Sequence, residues 1–188
     1  MLFKAIRLTL AAVTLAVAFH RELPRISRGA LLAGALLGFL LWFGSELQIS
    51  GLNYTMPSKS AFLTGMAVVL VPVFLAVFWK RKIGVWSSVG VVLAFVGLYL
   101  LTVPASGHGG LNLESISRGD LLTLGAAVVF AFHIISMGHA TRAYYWQQIA
   151  VLQTATAALL MIAAVPVGPP AYVVWSGRVI WGFSLRDF

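Results

Sequence analysis

Ionisable and polar side chains inside long apolar segments are the residues of this sequence that could do chemistry. Glu46 lies in one such segment beside Ser45 and Gln48, and His133 lies near the centre of another. A charged side chain at the centre of a lone membrane helix costs about 2.5–3.5 kcal/mol or more, so ionisable groups at that depth often mark the path of an ion, a proton or a substrate. These residues are therefore candidates for substrate or ion binding.

Each candidate also has a purely structural interpretation, and the sequence leaves both open. Glu46 is about one turn from the predicted end of its helix, where its carboxylate could reach interfacial water. His133 has Ser136 on the same side of its helix, and this pair could bond to a neighbouring helix instead of binding a substrate or a proton. Gln153, in the last apolar segment, could line an aqueous cavity or join two helices through a hydrogen bond.

The sequence lacks the motifs of the common enzyme classes. It contains no cysteine, which excludes disulfides, thiolate metal sites and thiol nucleophiles. It has no glycine-rich phosphate loop, no paired carboxylates within one segment and no His–Glu spacing typical of metal sites. The sequence therefore predicts a protein that is not an enzyme and that uses no cofactor and no metal.

Six nearly uncharged segments, each about as long as a bilayer is thick, must position these candidates. A helix needs roughly 20 apolar residues to cross about 30 Å of hydrocarbon, and 60% of this chain is hydrophobic whereas 10% is charged. The pattern predicts an all-α integral membrane protein, a polytopic bundle of about six transmembrane helices in the lipid bilayer. The tail Ala171–Phe188 is apolar in part and is predicted to form a partial seventh segment. The six predicted helices, A to F, are Phe3–Phe19, Ala30–Ile49, Ala61–Trp79, Val85–Val103, Asp120–His139 and Trp146–Pro166.

Basic residues are distributed unevenly between the two ends of the predicted bundle. The formal net charge is +8, and its carriers lie in short loops between apolar segments, which favours membrane orientation over nucleic-acid binding. The two internal loops at one end carry only Lys59 and Arg118. The loops at the other end carry seven basic residues, which predicts that those loops lie in the cytoplasm and that the protein spans the cytoplasmic membrane. The seven are Arg21, Arg25, Arg28, Lys80, Arg81, Lys82 and Arg142.

Lys4 and Arg7 conflict with this orientation, because it places the beginning of helix A outside the cytoplasm. One explanation is a signal peptide that starts with these basic residues and has Ala16-Val17-Ala18 as its cleavage motif, which leaves five helices. The other is that an upstream helix is missing from this chain, so that helix A natively begins outside. We favour the second explanation because of a resemblance to a known family.

The stretches Gln48–Gly65 (QISGLNYTMPSKSAFLTG), Gly90–Leu100 and Gly119–Leu122 carry that resemblance. They resemble the drug/metabolite transporter superfamily, specifically its EamA-like members, and the similarity covers about Arg7–Val165. Those transporters typically have ten helices in two five-helix repeats of opposite orientation. On that pattern, helices A to D look like helices two to five of the first repeat, and E and F look like the first two of the second.

The resemblance therefore implies two partial, inverted repeats. The first would be incomplete over residues 1–104, and the second would be partial over residues 119–188, with a divergent tail. In this comparison the chain lacks the first helix and the last three of the usual ten. The chain is then either a fragment or a shortened protein that completes its bundle with a partner.

The resemblance also implies a function, namely secondary transport of a small-molecule substrate, a metabolite, across the cytoplasmic membrane. Export by alternating access, driven by an ion gradient through a cavity between the repeats, would follow from it. An alternative from another class is a truncated or degenerate membrane protein without transport activity of its own. A further alternative is a subunit completed by a homo-oligomer or by a partner membrane chain.

Helix C contains three local signals. Pro72 removes one backbone hydrogen bond and leaves the carbonyl of Val68 without its partner, so it is a candidate hinge, with a static kink as the alternative. Ser58 follows Pro57 and is the predicted N-cap. Lys59 could attract an anionic substrate group or anchor the helix at the lipid headgroups, and we favour the anchor.

Small residues at helical spacing predict close packing of helices B and D against their neighbours. In lipid, such residues let two helix backbones approach each other. We therefore interpret both sets as packing stripes and not as binding sites. The stripe on helix B is Gly34, Gly38 and Ser45, and the stripe on helix D is Ser87, Gly90, Ala94 and Gly97.

Overall fold

The computed structural model describes residues 2–22, 26–80, 84–102 and 117–164, and these residues form α-helices without a β-strand. The all-α prediction is confirmed. The predicted tail segment Ala171–Phe188 lies outside the described residues, as do Arg25, Arg81 and Lys82. The helices are α1 (Leu2–Ala18), α2 (Arg28–Leu52), α3 (Pro57–Gly65), α4 (Ala67–Trp79), α5 (Val85–Thr102), α6 (Arg118–Ala143) and α7 (Trp146–Ala164).

Helix α2 is the centre of the bundle. It packs along both α6 and α7, while α1 packs against α7, α3 and α4 pack against α6, and α5 packs against α3 and α4. Helices α6 and α7 touch each other only sparsely, although a short turn at Tyr144 and Tyr145 joins them. Most of the interface that holds α6 and α7 together therefore passes through α2.

Glycines on α2 permit this close packing. A Cβ atom at Gly34 would collide with the side chain of Leu152 on α7, and one at Gly38 would lie 2.6 Å from the backbone oxygen of Gln153. On the side that faces α6, a Cβ atom at Gly44 would lie 2.8 Å from the ring of Phe130. The packing predicted for Gly34 and Gly38 is confirmed, because both are buried against α7.

Helices α2 and α6 run antiparallel. Gly29, at the start of α2, lies directly against the side chain of Tyr144, which follows the end of α6. At the other end, the Cβ position of Gly51 is 2.8 Å from the backbone oxygen of Gly119, at the start of α6. We call the end that carries the described residues Arg21, Arg28, Lys80 and Arg142 the basic end, and the end near Gly51 the opposite end.

Serine caps fix the starts of the two longest helices. Ser27 caps α2, since its hydroxyl accepts a hydrogen bond from the Ala30 amide at 3.1 Å. Ser117 caps α6 in a capping box, in which its hydroxyl accepts from the Asp120 amide and the Asp120 carboxylate accepts from the Ser117 amide. These caps make both helices begin about half a turn before the predicted positions, at Arg28 and Arg118.

Predicted helix C is divided into α3 and α4 by a one-residue interruption at Met66. The Met66 carbonyl accepts bonds from the amides of both Val69 and Leu70, so the backbone tightens locally there, whereas Pro72 lies inside α4. The prediction that Ser58 caps this helix is wrong. The helix begins earlier, with Met56 as the N-cap and Pro57 in the first turn, because proline there has no amide that needs a partner.

The packing predicted along the glycines of helix D is wrong for the part of α5 that the structure describes. Cβ atoms at Gly90 and Gly97 would have no neighbour within 4 Å. The helix instead contacts α3 through aromatic residues, with the rings of Phe62 and Phe95 5.7 Å apart. Of that stripe, Ala94 does lie near Phe62, so the contact with α3 runs through Ala94 and the adjacent Phe95 and not through the two glycines.

Four stretches among the described residues are long and apolar enough to cross a membrane. Helices α1 and α5 contain the shorter apolar stretches Ala5–Ala18 and Ser88–Gly97. Large apolar side chains are exposed on the outer surface, as expected where lipid and not water surrounds the helices. The chain is a multi-pass helical membrane bundle. Its four long stretches are Arg28–Leu52, Pro57–Phe78, Arg118–Ala143 and Trp146–Ala164.

Candidate functional site

His133 and Gln153 are two sequence candidates that the structure brings together. His133 Nε2 lies 3.2 Å from Gln153 Oε1, and this contact joins α6 to α7. Only 7% of the His133 surface is exposed. Since an amide oxygen can only accept a hydrogen bond, the assigned geometry requires a proton on Nε2 and, in the neutral ring, leaves Nδ1 as an acceptor.

The depth of this pair is set by the lengths of its helices. His133 is fifteen positions after Arg118 and ten before Ala143, which places it about 22 Å and 15 Å from the two ends of α6 at 1.5 Å per residue. The glycine at position 38 lets α2 approach the backbone of Gln153 directly. The pair therefore lies at the depth of the bilayer interior, in a region where α6 and α7 otherwise make few contacts.

Glu46, on α2, is a second candidate with a buried polar atom. Its Oε1 atom is buried and has no hydrogen-bond partner among the described residues, and the same holds for Nε1 of Trp42, one turn earlier. Residues four apart share one face of a helix, so these two unpaired groups face the same side of α2. Buried polar atoms without partners are uncommon and call for an explanation.

The structure does not bring Glu46 and His133 to a common site. Gly44 and Gly51 mark the side of α2 that faces α6. At about 100° per residue, Glu46 points roughly 140–160° away from that side. A mechanism that uses both groups would therefore need them to act at separate positions.

The remaining candidates are Gln48, Ser45, Ser136 and Pro72. The Gln48 side chain donates to the Thr64 hydroxyl at 3.0 Å and so links α2 to α3, while Thr64 donates to the Ser60 carbonyl at 2.8 Å. Ser45 is half-buried beside Glu46, and Ser136 is half-buried three residues after His133. Pro72 lies inside α4 and stays a candidate hinge.

The Asp120 carboxylate accepts hydrogen bonds from three residues, and the sequence interpretation did not predict this cluster. Its Oδ1 accepts from the Thr55 hydroxyl at 2.6 Å, and its Oδ2 accepts from Lys59 Nζ at 2.7 Å and from the Ser117 amide at 2.8 Å. Lys59 therefore pairs with a protein carboxylate, a partner that the sequence interpretation of Lys59 did not include. The Ser117–Asp120 spacing is a capping-box signal that could have located this carboxylate.

At the basic end, a cavity of about 440 Å³ opens between the turns of the bundle. Gln148, only 3% exposed, donates a hydrogen bond to the Glu22 carbonyl at 2.9 Å and so ties the end of α1 to the start of α7. Among the described residues no group of three or more histidine, aspartate or glutamate side chains could hold a metal ion. The cavity is lined by Ser27, Arg142, Ala143, Tyr144, Tyr145 and Gln148.

Two comparisons with known proteins agree with this fold. A family model described as the EamA-like transporter family matches residues 1–103, which is the region of α1 to α5. A protein of Archaeoglobus fulgidus described as an uncharacterized transporter is 32% identical to this chain over 124 residues. That alignment covers 63% of this chain and 37% of the relative, so the similarity concerns a minor part of the relative's length.

Proposed function

Because the chain belongs to the EamA-like transporter family, we propose that it is a secondary transporter that exports a small metabolite across the cytoplasmic membrane by alternating access. Membership of that family supports transport of the drug/metabolite type. The observation that carries the proposal further is the His133–Gln153 contact at membrane depth. A polar pair in that position is a candidate substrate contact, because intramembrane polar groups are retained where they serve a pathway.

His133 and Gln153 suit a site that opens and closes. They lie on α6 and α7, which hold to each other mainly through α2. One hydrogen bond between membrane helices contributes on average about 0.6 kcal/mol, so it can be exchanged for a bond to a substrate at little expense in stability. An imidazole and an amide together offer donors and acceptors to a small polar molecule.

We further propose that the basic end faces the cytoplasm and that Glu46 couples proton movement to transport. The charge bias between the loops supports the orientation. For Glu46 the support is its buried, unpaired Oε1 atom on a helix that contacts both α6 and α7. Partial inverted repeats over residues 1–104 and 119–188 remain part of the proposal.

A second candidate function is that of a subunit which transports only in an oligomer or with a partner membrane chain. The observation that favours it is the glycine face of α5. A Cβ atom added at Gly90 or Gly97 would have no neighbour within 4 Å among the described residues. At the glycines of α2, residues of α6 and α7 occupy the space that a Cβ atom would need. Helix faces of that kind are frequent at contacts between membrane helices.

Replacing Gln153 by leucine tests the transport proposal in cells. Metabolites released into the medium would be compared by mass spectrometry between cells that express the chain and cells that carry an empty vector. We expect at least one metabolite to accumulate in the medium of cells with the unchanged chain and to return to the empty-vector level with Gln153→Leu. Loss of one interhelical hydrogen bond should lower stability by only about 0.6 kcal/mol on average, so the variant should still reach the membrane.

Thr154→Val is the matched control, because among the described residues the Thr154 hydroxyl donates to the Ala150 carbonyl of its own helix, at 2.8 Å, and not to a neighbouring helix. It should export like the unchanged chain at equal membrane levels. Identical metabolite profiles for the unchanged chain, the empty vector and Gln153→Leu would contradict the proposed function.

A further inference from the structure

The bonds around Asp120 fall into two groups that differ in what they connect. The Ser117 amide and the Asp120 carboxylate belong to one helix start, so their contact is local to α6. Thr55 and Lys59 reach the same carboxylate from the connection before α3 and from α3 itself, over 65 and 61 positions of the sequence. Only the second group must break if this end of α6 moves away from α3.

These crossing bonds lie over a close contact between α2 and α6. The Cβ position of Gly119 is 2.5 Å from the backbone oxygen of Gly51, and that of Gly51 is 2.5 Å from the hydroxyl of Thr123. Thr123 is fully buried, one turn deeper than Asp120. Water that enters at the opposite end between α2 and α6 has to pass this layer, and the side chains of Lys59 and Asp120, 16% and 7% exposed, stand at its rim.

We propose that the Lys59–Asp120 ion pair is a latch that holds the opposite end of the bundle closed and that separates when this end opens. The inference rests on the proposed function only in that alternating access requires this end to open. An ion pair suits such a latch because it has two stable arrangements. The charges are stable when paired in the closed bundle and when separately hydrated in the open one, whereas a single unpaired charge in the closed bundle is strongly unfavourable.

A latch differs from a static brace in what its loss does. Removal of a brace lowers the stability of the whole fold without making the layer below it accessible. If the pair is a latch, removal of the Lys59 charge shifts the bundle toward the open arrangement. The reason is that the Asp120 carboxylate, without its cation, is more stable when hydrated than when buried in the closed bundle. Accessibility of Thr123, and not stability alone, therefore separates the two roles.

The chain contains no cysteine, so a single cysteine can report that accessibility. Thr123→Cys would be labelled with a membrane-impermeant maleimide in intact cells and in inverted membrane vesicles. The exposed position Ser58→Cys shows which preparation presents the opposite end. We expect Lys59→Met to accelerate labelling of Thr123→Cys roughly tenfold, which corresponds to a shift of about 1.4 kcal/mol in the open–closed equilibrium. Lys59→Arg should keep the labelling slow.

Thr55→Val is the milder variant in case Lys59→Met does not accumulate. It removes one neutral donor to Asp120 and should accelerate labelling by a smaller factor. Because labelling requires no substrate, its outcome is independent of the export assay. Unchanged labelling of Thr123→Cys in both folded variants, or in Thr55→Val alone where Lys59→Met does not fold, would overturn the latch, whatever happens to thermal stability.

Discussion

Gly38→Ala should destabilise the bundle more than alanine at any glycine of α5. A methyl group at Gly38 would lie 2.6 Å from the Gln153 backbone oxygen and 2.5 Å from Cβ of Thr156. Neither atom can be moved by a change of rotamer, so α2 and α7 have to separate. Overpacking of this kind typically costs about 1–3 kcal/mol and occasionally more. We expect a clear fall in the thermal midpoint of the purified protein in detergent, measured by loss of the folded peak in size-exclusion chromatography.

Gly97→Ala is the matched control. It makes the same chemical change in an apolar helix, at a position with no neighbour within 4 Å in the part of the chain that the structure describes. Alanine is a better helix former than glycine by roughly 0.5–1 kcal/mol, so this variant should be as stable as the unchanged protein or slightly more stable. Equal midpoints for Gly38→Ala and Gly97→Ala would contradict the packing of α2 against α7.

Glu46→Gln should abolish transport that is driven by a pH gradient and leave the fold intact. Burial disfavours the charged form of a carboxyl group, so a carboxyl that moves between water and a dry bundle takes up and releases a proton. Glutamine keeps the shape of Glu46 and removes the carboxyl group that could carry a proton. Because Oε1 of Glu46 has no hydrogen-bond partner among the described residues, the substitution breaks no bond at that atom within this part of the chain. The measurement is the flux of the exported metabolite at several imposed pH gradients.

Glu22→Gln is the control for the carboxylate. Glu22 lies in the connection after α1, where its backbone carbonyl and not its side chain accepts the bond from Gln148. Its replacement should leave gradient-driven flux unchanged. Undiminished flux in Glu46→Gln would remove Glu46 from the coupling role, and His133 would become the next candidate.

Periodicity and composition were sufficient to predict the helices and part of the packing between them. The apolar segments predicted the helix that contains Glu46 to within three residues at either end, since length and polarity alone decide what spans a bilayer. Glycine spacing predicted the α7-facing side of α2. The same spacing failed on α5, because a small-residue stripe indicates where a helix can be approached and not which helix approaches it.

Contacts between distant segments were beyond what the sequence could predict. The His133–Gln153 bond joins two residues that were each singled out for polarity, but their meeting depends on how α6 and α7 pack on α2. The sequence favours the headgroups for Lys59 because its partner, Asp120, is 61 positions away and no local pattern connects the two. Pairing of charges across helices follows from tertiary packing, which no local pattern encodes.

Transport by the chain itself is most directly tested with the purified protein in liposomes. The vesicles would be loaded with the small-molecule fraction of a cell extract, a pH gradient would be imposed, and the released compounds would be identified by mass spectrometry. We predict that one compound, or a few related ones, leaves vesicles that contain the unchanged protein and is retained in vesicles that contain Gln153→Leu and in protein-free vesicles. Retention of every compound by vesicles that contain the folded, unchanged protein would contradict the claim that this chain is a transporter on its own.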